Sequence, residues 1–303
     1  MTRTMPFRGL GVAMVTPFRA DGTLDEFRLR AFVDRLIEGG VDALLPAGST
    51  GEGATLTQEE HHRVMDIVLE QTNGRVPVIP GAGSNATHEA VALAQYAKRA
   101  GATAVLSVTP YYNKPEPEGL LQHYATIAEK ADIPIILYNV PSRTGRNYSA
   151  ETILRIAEQV PLVVGVKESS GNLVQALEIL ASRPSGFAVY AGDDIFAVPT
   201  IVMGGDGVIS VIGNQLPEWT ARMVHSAMEG DLPAARTWHF RLQALMQANF
   251  WETNPAPVKC TLAMMGIIEE SLRLPLVPVS ERTRDRLRQV LQGLEKWGSA
   301  RGL

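Results

Sequence analysis

The chain has 303 residues, 45% of them hydrophobic and 20% charged, so it can bury one large core or two ordinary ones. Its 28 basic and 32 acidic residues give a net charge of −4, and the absence of any Lys/Arg cluster argues against a nucleic-acid partner. The single cysteine, Cys260, excludes an intrachain disulfide framework and a thiolate metal cluster.

The first residues do not resemble a targeting segment, because Arg8 interrupts their apolar stretch and Pro17 ends it. No apolar run reaches the roughly 18 residues that a membrane span needs. We therefore predict a cytoplasmic protein without a membrane segment.

Eight short apolar runs recur along the chain and end near Gly, Pro, Ser or Thr. They are Leu10–Thr16, Ala43–Ala47, Val76–Gly81, Ala104–Thr109, Ile135–Asn139, Val163–Lys167, Ala188–Ala191 and Gly207–Val211. Several are continuously apolar, which is typical of strands buried on both faces of a parallel sheet.

Amphipathic segments with helix start signals separate these runs. Asp25, Ser149 and Asn172 stand where helices would begin, and Thr57 with Glu60 forms a capping-box pattern. Eight strand–helix units predict an α/β fold, a (β/α)8 TIM barrel, with a doubly wound open sheet as the alternative.

The predicted barrel occupies residues 1–230. Beyond it the strand signals stop and three helical segments follow. Residues 231–303 are therefore predicted to form a C-terminal helical domain.

Lys167 ends an otherwise apolar predicted strand, where a solvated lysine is the simpler interpretation. In a barrel, however, catalytic groups lie at the carboxyl ends of the strands. Burial there favours a neutral amine, and a neutral lysine amine can form a Schiff base with a carbonyl substrate.

Other groups with suitable chemistry follow neighbouring strands. Tyr138 could transfer protons next to a Schiff base, and Ser49 and Thr50 lie in a glycine-rich turn that could bind a carboxylate. Arg143 is a natural bidentate partner for a carboxylate. Each has an ordinary structural interpretation when taken alone.

Three further patterns are rejected as functional sites. Residues 81–86 match a dinucleotide fingerprint, but the next strand end has no acidic residue to bind a ribose. His61 and His62 are adjacent and cannot share one helix face, so no metal site is predicted. Asp193 and Asp194 favour a helix start over a pair of catalytic acids.

Six segments together resemble the dihydrodipicolinate synthase / N-acetylneuraminate lyase family of pyruvate-dependent class I aldolases. In chain order they are GSTGE, VTPYYN, YNVPSRTG, GVKESSGN, GDD and GGDGVISV. The resemblance covers essentially the whole chain. Within the family, YNVPSRTG and NPAPVK are most similar to the synthases, whereas Ser49 before Thr50 gives a pair that is common in the lyases.

The resemblance implies a Schiff base between Lys167 and pyruvate. It makes Tyr138 the central acid and base, with Thr50 and Tyr112 completing a proton relay. Tyr112 would come from a neighbouring subunit of a homotetramer. No cofactor is expected, because the iminium itself serves as the electron sink.

The resemblance also implies the substrate contacts. Arg143 would hold the carboxylate of L-aspartate 4-semialdehyde, and Ser49 and Thr50 would position that of pyruvate. Gly192 and Ile209 would add backbone contacts near the lysine.

The family's feedback site for L-lysine lies at a subunit interface. Here His61, Asn85, Glu89 and Tyr111 match that site. Gly53 and Gln58 depart from the usual serine and histidine, so we expect L-lysine to bind weakly or not at all.

The resemblance implies the condensation of pyruvate with L-aspartate 4-semialdehyde in lysine and diaminopimelate biosynthesis. One alternative is a related lyase or aldolase for another 2-keto acid, such as a sialic acid or a sugar acid. Arg143 argues against a polyhydroxylated substrate. A second alternative is a barrel that has lost catalysis and only binds ligands.

Overall fold

The computed structural model describes residues 3–299, and no helix in that part of the chain is long and apolar enough to cross a membrane. Its seven strands are all parallel and form a nearly closed barrel. They are β1 Gly9–Ala13, β2 Ala43–Leu45, β3 Val105–Val108, β4 Ile135–Asn139, β5 Val163–Glu168, β6 Ala188–Ala191 and β7 Gly207–Ser210. Their order in the sheet is β2-β1-β7-β6-β5-β4-β3.

The third predicted strand, residues 76–81, lies between β2 and β3 but is not a strand. Leu44 N–H donates to the Pro77 carbonyl at 3.0 Å, and Leu106 N–H donates to the Pro80 carbonyl at 2.9 Å. The two prolines have no N–H to continue a ladder, so only isolated bridges form. The segment thus occupies the predicted position between β2 and β3 through isolated bridges instead of a continuous ladder, and the barrel fold is confirmed.

Twelve α-helices accompany the strands within residues 3–299. They are α1 Glu26–Glu38, α2 Gln58–Thr72, α3 Thr87–Ala100, α4 Pro117–Ala131, α5 Pro141–Thr144, α6 Ala150–Gln159, α7 Leu173–Ser182, α8 Ala197–Val202, α9 Pro217–Glu229, α10 Leu232–Ala248, α11 Ala256–Met264 and α12 Glu281–Ser299. The last three confirm a C-terminal helical segment. Its separation as a domain at residue 231 stays a prediction, and residues 1–2 and 300–303 lie outside the described part.

The predicted helix starts are observed. Asp25, Ser149 and Asn172 accept backbone N–H groups in the first turns of α1, α6 and α7. Thr57 and Glu60 form both hydrogen bonds of a capping box at α2. These caps fix the residues at which α1, α2, α6 and α7 begin.

The barrel interior is closed by aromatic packing near its amino end. The Phe7 ring, just before β1, stacks on Tyr190 with centroids 4.3 Å apart, and the Tyr190 hydroxyl donates to the Phe7 carbonyl at 2.7 Å. Small and branched side chains fill the layer above them. Space for chemistry is therefore left at the carboxyl ends of the strands.

Candidate active site

A cavity of about 810 Å³ opens where the loops leave β2, β3 and β4. Three predicted substrate-site residues and three predicted feedback-site residues line it: Ser49, Tyr138, Arg143, His61, Glu89 and Tyr111. Residues of both predicted sites thus face one continuous space.

Lys167 and Tyr138 are neighbours across the parallel strands β5 and β4. The Lys167 ammonium nitrogen lies 4.4 Å from the centroid of the Tyr138 ring. The two side chains are only 4% and 7% exposed. Tyr138 forms part of the cavity wall, whereas Lys167 stands beside it and is not among the lining residues.

Thr50 and Arg143 are joined through Asn254, in the loop between α10 and α11. Asn254 Nδ2 donates to Thr50 Oγ1 at 2.9 Å, and the Arg143 guanidinium donates to the Asn254 carbonyl at 3.1 Å. Asn254 is only 4% exposed, and its Oδ1 has no hydrogen-bond partner within residues 3–299. Sequence reasoning missed this residue, and the only available signal was the NPAPVK segment that begins with it.

The turn that carries Ser49 and Thr50 folds back closely on the end of β2. A Cβ added at Gly53 would lie 2.3 Å from the Ala47 carbonyl oxygen, so a larger residue there would require the turn to shift. Thr16 Oγ1 donates to the Gly51 carbonyl at 2.6 Å and ties the turn to the loop after β1. Gly51 and Gly53 therefore allow a tight backbone approach, whereas Gly48 has open space around it.

A buried ion pair lies beneath the same turn. The Lys259 ammonium contacts the Glu52 carboxylate, and both side chains are 0% exposed. Lys259 also donates to the Ser271 carbonyl at 2.9 Å and lies 4.2 Å from the Phe18 ring centroid. Burial lowers the pKa of Lys259, while the Glu52 carboxylate acts in the opposite sense. This lysine of α11 thereby anchors the turn from below.

The loop after β6 holds the predicted backbone contact Gly192. Its N–H donates to the Glu168 carbonyl at 2.8 Å, and a Cβ there would lie 1.7 Å from Ser169 Oγ. Ile209 on β7 is fully buried inside the barrel. Neither residue lines the cavity.

Asp193 follows Gly192 and caps a short 3₁₀ helix, Asp194–Phe196, as the predicted helix start requires. Burial raises the pKa of Asp193, and the charge of Lys167 opposes this shift. Asp193 is thus within electrostatic range of the lysine.

Tyr112 is 90% exposed and has a φ of 69°, a conformation that is unusual for a bulky residue. The structure does not bring it to the cavity wall. The loop is fixed by Asn113, whose side chain donates to the Asn85 carbonyl at 2.8 Å. Tyr112 is therefore presented outward.

The residues of the predicted feedback site divide between the cavity wall and the loop beside it. His61 is 7% exposed, and burial lowers its pKa to about 4. Glu89 accepts a hydrogen bond from Ser84 at 2.6 Å. Asn85 is not among the lining residues, whereas the divergent Gly53 and Gln58 are.

No group of three or more His, Cys, Asp or Glu side chains within the described residues is arranged to hold a metal ion.

Comparisons of the sequence and of the structure with known proteins point to the same family. The sequence model of the dihydrodipicolinate synthetase family matches residues 6–294. A 4-hydroxy-tetrahydrodipicolinate synthase from Nitratidesulfovibrio vulgaris (strain Miyazaki F) is 50% identical over 287 residues, which is 95% of this chain and 98% of the relative.

Solved structures agree with this relationship. A chloride-inhibited dihydrodipicolinate synthase from Acinetobacter baumannii in complex with pyruvate is 41% identical, with a TM-score of 0.93 over 95% of this chain and 99% of that one. A monomeric dihydrodipicolinate synthase variant is 43% identical, also with a TM-score of 0.93, over 95% and 97% of the two chains.

Proposed function

Because this chain belongs to the dihydrodipicolinate synthetase family, we propose that it condenses pyruvate with L-aspartate 4-semialdehyde, as a 4-hydroxy-tetrahydrodipicolinate synthase does. The observation that carries this proposal is the buried pair of Lys167 and Tyr138 at the carboxyl ends of adjacent strands. The lysine nitrogen lies 4.4 Å from the centroid of the tyrosine ring. A lysine in that place has the surroundings that Schiff-base chemistry needs.

Lys167 acts as the nucleophile. Its neutral amine adds to the keto carbon of pyruvate, and loss of water from the carbinolamine leaves a protonated imine. Loss of a methyl proton then gives an enamine, which attacks the aldehyde carbon of the second substrate. The amino group of that substrate finally displaces Lys167, so the cycle closes without a dissociable cofactor.

Tyr138 carries the protons for these steps, because its ring lies next to the lysine and also faces the cavity. Thr50 is the next member of the relay. The Asn254 amide occupies one side of the Thr50 oxygen, which leaves the Thr50 proton available to Tyr138. Tyr112 of a neighbouring subunit completes the relay, in accordance with its exposed position.

The substrates are held by their carboxylates. Arg143 faces the cavity and binds that of L-aspartate 4-semialdehyde as a bidentate partner. Ser49 and Thr50 bind that of pyruvate, and the backbone at Gly192 and Ile209 adds contacts beside Lys167.

A relay completed by Tyr112 requires an assembly, and we propose a homotetramer in the cytoplasm. The family also contains a monomeric variant, so sedimentation of the purified protein decides this point. If the protein is a tetramer, Tyr112→Phe should lower its activity. A fully active monomer would contradict a relay that is shared between subunits.

L-Lysine is proposed to bind weakly, because Gly53 and Gln58 replace a hydroxyl and an imidazole on the wall that also carries His61 and Glu89. Calorimetry with L-lysine tests this expectation. Tight, cooperative binding would contradict it.

Borohydride reduction in the presence of pyruvate tests the central proposal. Wild type should gain one reduced pyruvate adduct per subunit, mapped by mass spectrometry to the peptide with Lys167. Lys167→Ala should gain none and lose turnover, whereas Lys98→Ala, on an exposed ion pair with Asp132, should behave as wild type.

Unmodified wild type would favour a barrel that only binds ligands. A modified enzyme that turns over a sialic acid or sugar acid, but not L-aspartate 4-semialdehyde, would favour the related lyase.

A further inference from the structure

A second set of side chains lies directly behind the reactive pair, on the outer face of the same two strands. Tyr138 pairs with Lys167 across β4 and β5, and the next pair in register is Asn139 with Glu168. Successive residues of a strand point to opposite faces. The first pair therefore faces the barrel interior and the second faces the helices.

Glu168 is a buried carboxylate held by neutral donors. Its Oε2 accepts from Asn139 Nδ2 and from Gln175 Nε2 of α7, each at 3.0 Å, and its Oε1 accepts from Ser170 N–H at 2.7 Å. Asn139, Glu168 and Gln175 are 0%, 8% and 5% exposed. One carboxylate thus joins the ends of β4, β5 and α7.

The other atoms of this cluster extend the link to the loops. Asn139 Oδ1 accepts from Tyr148 N–H at 3.3 Å, in the loop before α6. The Glu168 carbonyl accepts from Gly192 N–H at 2.8 Å, in the loop after β6. Movement of Glu168 would therefore disturb both flanks of the reactive pair.

We propose that Asn139, Glu168 and Gln175 are positioning residues for catalysis, which set the ends of β4 and β5 so that Tyr138 and Lys167 meet in the reactive arrangement. The proposal rests on the proposed function, because it assigns Lys167 and Tyr138 the reactive roles. The three residues do not touch the substrate. They act by fixing the strand ends from the opposite face, where a small displacement is transmitted through the backbone.

Glu168→Gln tests this role with little change in volume. The amide has only one oxygen, whereas both oxygens of Glu168 accept hydrogen bonds. In one orientation its NH₂ group faces the Ser170 N–H, and in the other it faces the amide groups of Asn139 and Gln175. Either way, two donors meet. The cluster must then rearrange. A misplacement of about 1 Å at a reacting group costs about 100-fold in rate, so we expect kcat and the rate of pyruvate trapping by borohydride to fall about 10- to 100-fold.

The KM for L-aspartate 4-semialdehyde should remain within about twofold of the wild-type value, because Arg143 is held by the Asn254 carbonyl and has no bond to this cluster. A loss of stability alone would lower the amplitude of pyruvate trapping, by lowering the folded fraction, but would leave the rate constant of trapping in the folded enzyme unchanged.

Asp206→Asn is the matched control. Asp206 is a 3% exposed carboxylate at the amino end of β7, where it accepts from Val189 N–H at 2.9 Å and pairs with Arg183. Asp206→Asn should lose stability but trap pyruvate at the wild-type rate. The variant and the wild type are both assayed well below their melting temperatures.

Gln175→Met keeps the side-chain length but removes the amide that donates to Glu168 and to the Tyr148 carbonyl and accepts from Asn147. It serves if Glu168→Gln does not fold. We expect a fall in kcat of about three- to tenfold with KM unchanged. Wild-type trapping rates in a folded Glu168→Gln or in Gln175→Met, or an equal loss in Asp206→Asn, would overturn the proposal. Failure of the wild-type protein to trap pyruvate would instead refute the proposed function.

Discussion

Lys259→Met should destabilise the protein by about 3–5 kcal/mol, the usual result of removing one partner of a buried ion pair. The methionine keeps most of the stem volume but leaves the Glu52 carboxylate, 0% exposed, without its cation. What remains for Glu52 is the backbone N–H of Arg273, which donates to Oε2 at 3.0 Å, and the electrostatic effect of the Arg273 guanidinium, which is hydrogen-bonded to Glu60. The free energy of unfolding is measured by urea denaturation at one protein concentration, since assembly would contribute to it.

Two further variants identify the cause of that loss. Lys259→Met combined with Glu52→Gln removes the stranded charge and should recover more than half of the lost free energy. Lys98→Met breaks an ion pair whose side chains are 46% and 72% exposed, and should cost less than about 1 kcal/mol. The reasoning is refuted if Lys259→Met matches Lys98→Met, or if the double variant is no more stable than Lys259→Met alone.

Two other changes give distinct signatures. Asn254→Ala removes the amide that donates to Thr50 but keeps the carbonyl that accepts from Arg143, so steady-state kinetics should show a fall in kcat of about tenfold or more with little change in the KM of the aldehyde. A change in KM alone would count against this assignment. Asp42 raises the pKa of His225, so their pairing stabilises the fold fully below the unfolded pKa of about 6.5 and is lost as pH rises through the higher folded value. Thermal denaturation should therefore show His225→Gln to be less stable than wild type at pH 5.5 and nearly equal to it at pH 9, and a deficit that is the same at both values would contradict the pairing.

Most of the barrel could be predicted because its strands are buried on both faces and read as continuous apolar runs. The exception, residues 76–81, is also apolar but contains two prolines, and these are the reason for the difference. Pro77 and Pro80 leave carbonyls that β2 and β3 can use but no N–H groups to return. Apolar patterning reports where a segment is buried, whereas its hydrogen-bond capacity decides whether it becomes a strand.

The candidate site was predictable mainly at the strand ends and in the loops that directly follow them. Lys167 and Tyr138 end strands, so local sequence marks them. Asn254 meets Thr50 across 204 positions of the chain, and no local pattern reports such a contact. Glu168 was also missed, because an acidic residue after a strand-end lysine looks solvated until Gln175 covers it.

The two buried lysines show why burial alone does not identify the Schiff-base residue. Lys259 is 0% exposed, but its ammonium has a carboxylate, a carbonyl oxygen and the Phe18 ring around it. The Glu52 carboxylate opposes the lowering of the Lys259 pKa by burial. Lys167 is 4% exposed, and its nitrogen lies beside the ring of Tyr138, a residue of the cavity wall. A keto acid entering that cavity meets Tyr138 and the lysine next to it, whereas Lys259 is neither on the wall nor free of its carboxylate. Peptide mapping after reduction should therefore find pyruvate on Lys167 and not on Lys259, and an adduct on Lys259 would mean that the ion pair beneath the turn opens in solution.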